Sequence, residues 1–212
     1  MNAVTAFKPD PKYTQLAEED AIERAKKALE AKGIEVFVVD NATEAKAKVM
    51  ELIPEGAEVM TNASKTLDDI GISAAINESG KFDALRPKLM AIFGDPEKKR
   101  EQRKLAAAPD YSLGSVAAVT EDGNILIASA SGSQLGQYTY AAGRVIWVVG
   151  THKIVRDIAE AQQRLHEHVF PLENERALVA YGKNSALLKV LTIHGERPGR
   201  LTLILMREHV GF

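Results

Sequence analysis

SLGSVAAVTEDGNILIASASGSQLGQYTYAAGRVIWVVGTH, residues 112–152, sets two apolar runs, an Asp-Gly turn, a loop of small residues, a short helical pattern and an apolar strand side by side. Residues 116–120 and 125–129 flank Glu121, Asp122, Gly123 and Asn124. Asp-Gly between apolar runs is a hairpin signal, because a type I′ turn needs positive φ at both of its central residues. The expectation is an antiparallel hairpin around residues 116–129. SASGSQLG, residues 129–136, then opens a helix with Leu135, Tyr138 and Ala142 on one side, stopped by Gly143. RVIWVVG, residues 144–150, is nearly all apolar, as expected of a strand covered on both faces.

The flanks extend the same reading. Residues 13–32 carry Ile22, Ala25 and Leu29 at helical spacing, with Gly33 as a left-handed cap. IEVFVVD, residues 34–40, reads as a second two-faced strand. Asn41 and Glu44 form a capping pair, and Ala45, Val49 and Leu52 give the stripe of a helix that Pro54 ends. Another strand follows over residues 57–61, so strand, helix and strand predict a right-handed parallel unit. Helices are expected over 82–93, 96–107, 154–170 (ending before Pro171) and 173–181, and a terminal strand over 200–212. The fold class is therefore α/β, an open, mostly parallel sheet flanked by helices. Pro9 and Pro11 mark residues 1–12 as an extended arm ahead of one domain, residues 13–212.

At 212 residues the chain should bury about 70% of the surface that it exposes unfolded. A net charge of −2 argues against nucleic acid as a partner, and the mixed charges of EKKREQRK, residues 97–104, read as a solvated helix face rather than a basic patch. The chain has no cysteine, which excludes disulfides, a cysteine nucleophile, cysteine-bound zinc and any iron–sulfur cluster that this chain would ligate. The N-terminal residues lack the apolar core of a signal peptide, and no apolar run approaches the ~20 residues that span a bilayer. The expected protein is soluble, cytoplasmic and without a membrane contact.

Candidate chemistry lies in the loops. TNASKTLDDIGI, residues 61–72, follows a predicted strand, where α/β sheets bind ligands. Ser64, Lys65 and Thr66 offer hydroxyls and a charge to an anion, while Asn62 or Ser64 would serve equally as a helix cap. Gly132, Ser133 and Gln134 lie on a loop that allows close backbone approach, and small residues of this kind also suit plain tight packing. Lys183 and Ser185 sit in the polar turn YGKNSA, residues 181–186, facing either an acidic ligand or solvent. Glu121, beside a turn glycine, is a candidate nucleophile or acid/base and equally a solvated turn residue. The five histidines, at 152, 166, 168, 194 and 209, form no HExxH pattern, and GxxxxGK[ST], GxGxxG and GxSxG are all absent. Neither a metal nor a cofactor is implied.

Four segments in order carry a family resemblance: TNASKTLDDIGI, SLGSVAAVTEDGNILIAS, GSQLGQYTYAAGRVIWVVGTHKIV and PGRLTLILMREHVGF. They resemble the LUD-domain family of lactate utilization proteins, and the likeness covers the chain from about residue 15 to its end. That family is similar to the wider superfamily of glucosamine-phosphate isomerases, ribose-phosphate isomerases and CoA-transferases. The resemblance implies a part in oxidising lactate to pyruvate, beside partners that hold iron–sulfur clusters, and this cysteine-free chain would be the cluster-free member. By likeness to the CoA-transferase branch, Glu121 with Gly123 stands in a Glu-x-Gly arrangement, and residues 62–66 and 132–135 are substrate-facing loops. The reading is a protein that binds a small anionic metabolite and is expected to be a homo-oligomer. Its alternatives are a non-catalytic subunit that docks an iron–sulfur partner and an acyl or CoA transferase that uses Glu121.

Overall fold

The computed structural model describes residues 8–212; most of the expected N-terminal arm lies outside the described residues. In chain order the strands are β1 (Glu35–Val39), β2 (Glu58–Thr61), β3 (Asp83–Ala84), β4 (Tyr111–Gly114), β5 (Ala118–Thr120), β6 (Ile125–Ser129), β7 (Arg144–Gly150), β8 (Ile154–Val155), β9 (Lys189–Ile193) and β10 (Leu201–Met206). The helices are α1 (Glu19–Ala31), α2 (Ala42–Leu52), α3 (Lys65–Asp69), α4 (Ile72–Asn77), α5 (Leu85–Ala91), α6 (Lys99–Leu105), α7 (Ile158–Arg164) and α8 (Phe170–Tyr181). Six strands form one parallel sheet in the order β1-β10-β7-β4-β2-β3, and four form a second, smaller sheet, β8-β5-β6-β9.

Alternation along the two central strands builds both halves of the core. Val145, Trp147 and Val149 of β7, with Leu201, Leu203 and Leu205 of β10, face α1 and the smaller sheet, where they meet Ile22, Leu29, Val119 and Ile125. Ile146 and Val148, with Ile204 and Met206, face the other way onto Ala45 and Val49 of α2, Leu67 of α3 and Ile72 and Ile76 of α4. Successive side chains of a strand point to opposite faces, so a strand with apolar residues at every position is stable only when both faces are covered. That is the burial that the two apolar runs predict. The capping pair also forms: Asn41 Oδ1 accepts the Glu44 backbone N–H at 3.0 Å, and Asn41 Nδ2 donates to Glu44 Oε1 at 3.0 Å.

Four local expectations need correction. β1 and β2 both belong to the parallel sheet, but β10, β7 and β4 separate them, because later strands insert between the first two. The helix expected from residue 13 begins at Glu19; Pro11–Thr14 is a 3-10 turn capped by Asp10, which buries Tyr13 against the ring of His168. The hairpin turn is not type I′, because Asp122 has no positive φ; the Thr120 carbonyl accepts the Gly123 N–H, and Gly123 alone is left-handed at φ +79°. This is the three-residue form of hairpin, a tight turn closed by a left-handed glycine.

The fourth concerns residues 154–181. Ile154–Val155 pairs with β5 as a strand, and the helix starts only after the Asp157 cap. Pro171 then fails to end it: a π turn, Leu165–Val169, leads straight into α8. A proline inside a helix removes the N–H that would serve the carbonyl four residues back. Here that carbonyl belongs to Glu167, and the Asp10 N–H takes it at 3.0 Å.

Gly123 also binds the hairpin to α1, since a Cβ at this position would stand 2.7 Å from the Ala28 backbone carbon. Gly123→Ala therefore combines backbone strain with overpacking and should lower the unfolding free energy by about 1–3 kcal/mol. Urea denaturation followed by circular dichroism measures this, and an unchanged midpoint would mean that the hairpin does not pack on α1 as described.

Candidate functional site

All six strands of the large sheet are parallel, so the segments that leave β2, β4, β7 and β10 emerge on one edge. There they enclose a cleft of about 310 Å³. Asn62, Ser64, Lys65 and Thr66 follow β2, Ser115 follows β4, Lys153 follows β7, and Phe212 closes the chain beyond β10. The smaller sheet supplies Ile127 and Ser129, and the loop after β6 supplies Ser131, Ser133 and Gln134. Across the opening stand Arg86 of α5 and Phe170, Glu173 and Arg176 of α8.

At the cleft floor lies Lys153, 1% exposed. Its Nζ is 3.2 Å from Thr66 Oγ1 and 3.1 Å from Ser115 Oγ, and the two hydroxyls are 3.3 Å apart. Burial, with the nearby Arg164 guanidinium adding to it, holds the amine well below the usual lysine range. Among the described residues, the carboxylate that acts on it is Asp69, which Lys65 already pairs. Beside it, burial also pushes down the pKa of His152, with Lys153 and Arg164 contributing, and His152 stacks on His209 at 4.1 Å. Arg164 is fully buried, donates to the Ala117 carbonyl and lies 5.8 Å from the centre of the Tyr13 ring, a cation–π arrangement. Thr66 is itself covered by the C-terminal tail. Gly211, left-handed at φ +63°, is what lets that tail pass, because a Cβ there would run into the Thr66 side chain.

The polar wall is largely prearranged. Asn62 Nδ2 donates to Ser112 Oγ at 2.9 Å and to Gln137 Oε1 at 3.1 Å, which ties the loop after β2 to β4 and to the π-helical turn Gln137–Ala141. Ser64 Oγ accepts the Leu67 N–H, so Ser64 does cap α3. Ser129 Oγ donates to Gln134 Oε1 at 3.0 Å and accepts the Gly132 N–H at 2.9 Å, which rigidifies the loop. The cationic side chains differ in how free they are. Arg176 is held by Glu173 through two bonds of 2.7 Å, which raises its pKa, whereas Arg86 has no carboxylate partner among the described residues.

Seven of the expected residues, Asn62, Ser64, Lys65, Thr66, Ser133, Gln134 and Ser185, line this one cleft. The other three do not. Gly132 turns its open side to the Lys189 side chain, and Lys183 is solvent-exposed beyond the end of α8. Glu121 is at the far end of the hairpin, where its carboxylate accepts from Arg24 Nε at 2.7 Å. Sequence reasoning passed over Ser115, Lys153, Arg86 and Arg176. Ser115 follows β4, a strand that the sequence reading did not mark, whereas Lys153 follows the apolar run over residues 144–150, which signals its place at a strand end but not the enclosure of its amine. Arg86 and Arg176 had no signal, because their convergence depends on how α5 and α8 pack.

Comparisons with known proteins bear on the family and the fold. The model of the LUD domain matches residues 22–206. A DUF162 family protein from Deinococcus radiodurans is similar in structure, with a TM-score of 0.51 and 15% identity, over 91% of this chain and 99% of that chain. At that identity the likeness shows the fold alone. No curated protein matches by sequence.

The buried amine has a thermodynamic signature. The folded chain sheds the Lys153 proton at lower pH than the unfolded chain, whose lysine titrates near 10.5. Between those points the unfolded state binds more protons, so stability rises with pH. Lys153→Met should therefore raise stability at pH 7 and flatten the rise toward pH 10.5; urea melts across that range test it, and a variant destabilised at pH 7 would contradict it.

Proposed function

The chain belongs to the LUD-domain family, and from that premise we propose that it binds a small anionic metabolite in the cleft at the carboxyl edge of its sheet and supports the oxidation of lactate to pyruvate. The observation that carries this reading is the cationic side of the lining: Lys65 is paired to Asp69 and Arg176 to Glu173, which leaves the guanidinium of Arg86 facing walls of serine, threonine and amide groups. Arg86, unpaired by any carboxylate among the described residues, is the natural partner for a carboxylate or phosphate, and the hydroxyls fit the oxygens around it. A hydroxy acid, a keto acid, or a phosphorylated or CoA-linked acid meets these requirements. The cleft's volume of about 310 Å³ is at the small end of metabolite pockets.

A second reading is favoured by a different surface. Leu178, Val179 and Tyr181 of α8 and Leu188 and Val190 around β9 are exposed, and among the described residues β9 is an edge strand of the smaller sheet. Exposed apolar groups next to an open strand edge suit a protein interface. In this reading the chain is an assembly subunit that docks a second copy of itself or an iron–sulfur partner. Chemistry through Glu121 gains no support here, because Arg24 holds that carboxylate outside the cleft.

Thermal-shift measurements with lactate, pyruvate, sugar phosphates and CoA esters separate the two readings. Binding to the folded state stabilises it by RT ln(1 + [L]/Kd), so at least one ligand should raise the midpoint, and a flat response at millimolar concentration would favour the assembly subunit. For a ligand that binds, Arg86→Ala should weaken affinity roughly tenfold or more by calorimetry, the cost of a lost charge-assisted hydrogen bond. Unchanged affinity would remove Arg86 from the site.

A further inference from the structure

We propose that Ser115 Oγ is a nucleophile and Lys153 Nζ its general base, for acyl transfer from an ester or thioester that carries a second, anionic group. The reactive pair stands on geometry, and the anionic group rests on the functional reading above. Ser115 is partly exposed to the cleft, while Lys153 is buried behind it with Nζ at 3.1 Å. A third group, Thr66 Oγ1, stands 3.2 Å from Nζ and 3.3 Å from Ser115 Oγ. A nucleophile in reach of a base that another group orients is the general arrangement of covalent catalysis, and serine with lysine is one of its known forms.

Burial decides the roles. As an ammonium, Lys153 would be an uncompensated charge in the interior, because Arg164 beside it is cationic and Asp69 is taken by Lys65. A neutral amine has a lone pair to accept a proton, and Thr66 and Ser115 are its only hydrogen-bonding partners among the described residues. A chain that needed only packing here would place an apolar side chain in this position. An ionisable group kept in such a place is the kind of broken local rule that functional sites tolerate.

The step balances within the cleft. The Ser115 hydroxyl proton moves to Lys153 Nζ as Oγ forms a bond to the acyl carbon. The carbon–oxygen or carbon–sulfur bond to the leaving group then breaks, and the leaving alkoxide or thiolate takes the proton from the ammonium, which restores the amine. Water, or an acceptor alcohol or thiol, gives its proton to the same amine and attacks the acyl-serine. Ser115 Oγ departs and recovers that proton. No oxidant, metal or cofactor enters the balance. Arg86 supplies the charge that holds the anionic end of the acyl group.

The test uses the intact protein with p-nitrophenyl succinate, whose acyl group carries a carboxylate, and with neutral p-nitrophenyl acetate. Intact-mass spectrometry with peptide mapping should find one succinyl group on Ser115, formed faster than the acetyl group. Ser115→Ala should abolish the adduct. Lys153→Met should slow its formation at least about a hundredfold, and Lys153→Arg should not restore it, since a guanidinium is not a base at neutral pH. Circular dichroism of each variant checks that it folds. No adduct on the parent protein, or an adduct on Lys153, overturns the Ser115 assignment; if succinate still raises the thermal midpoint, the anion-binding reading survives that failure. Equal acylation of Ser115 by both esters, with no stabilisation by succinate, leaves the pair standing and overturns the anionic substrate class.

Discussion

The pairing of β7 with β10 is the constraint on which the rest of the molecule depends. Leu201 through Met206 lie in parallel register with Val145 through Gly150, and every residue of β10 is buried. Apolar side chains on both faces demand two separate covers. One is α1 with the smaller sheet, and the other is α2, α3 and α4. Because the two strands are parallel and central, both must be left at the same edge. The chain there has backbone to satisfy and polar residues to place, so a deeply buried hydrophobic strand pair ends beside a polar cleft.

That edge explains why a lysine can be buried. Lys153 comes three residues after β7, in the short turn Thr151–Lys153, with no room to turn toward solvent between β8 and the tail that follows β10. Its amine is met by Thr66 from the loop after β2 and by Ser115 from the loop after β4. Three strands of the sheet thus each send one group to a single point. Rigid strands fix these positions more closely than free loops would, which is what a preorganised polar site requires. Burial, with the Arg164 guanidinium adding to it, pushes the pKa of the amine down, and burial pushes the pKa values of His152 and His209 down as well.

The reading of the chain succeeded where one local interaction outweighed the rest. Asn41 with Glu44, the apolar run over residues 144–150 and the hairpin around Gly123 each depend on neighbours within a few positions. It went astray where a distant residue intervened. Pro171 would end an isolated helix, but the Asp10 N–H satisfies the carbonyl that the proline leaves open, and the helix runs on. Residues 154–155 read as the start of a helix and became a strand, because β5 presents an edge to pair with. Much of the cleft was visible as loops after strands. Lys153 was not singled out, since nothing in a lone Lys after Thr151 and His152 indicates that its amine will be enclosed.

By itself the sequence determined the class of fold and the edge at which its loops gather. Apolar runs of strand length alternating with amphipathic helices can only be buried as a covered parallel sheet, and such a sheet gathers its loops at the carboxyl ends. The tertiary structure alone decided which loops meet. The strand order β1-β10-β7-β4-β2-β3 places residues far apart in the chain side by side, and it is this order that brings Thr66, Ser115 and Lys153 together and leaves Glu121 with Arg24 elsewhere. Strand order follows from the packing of whole elements against one another. Local spacing carries no record of it, whereas the fate of each ionisable group depends on it.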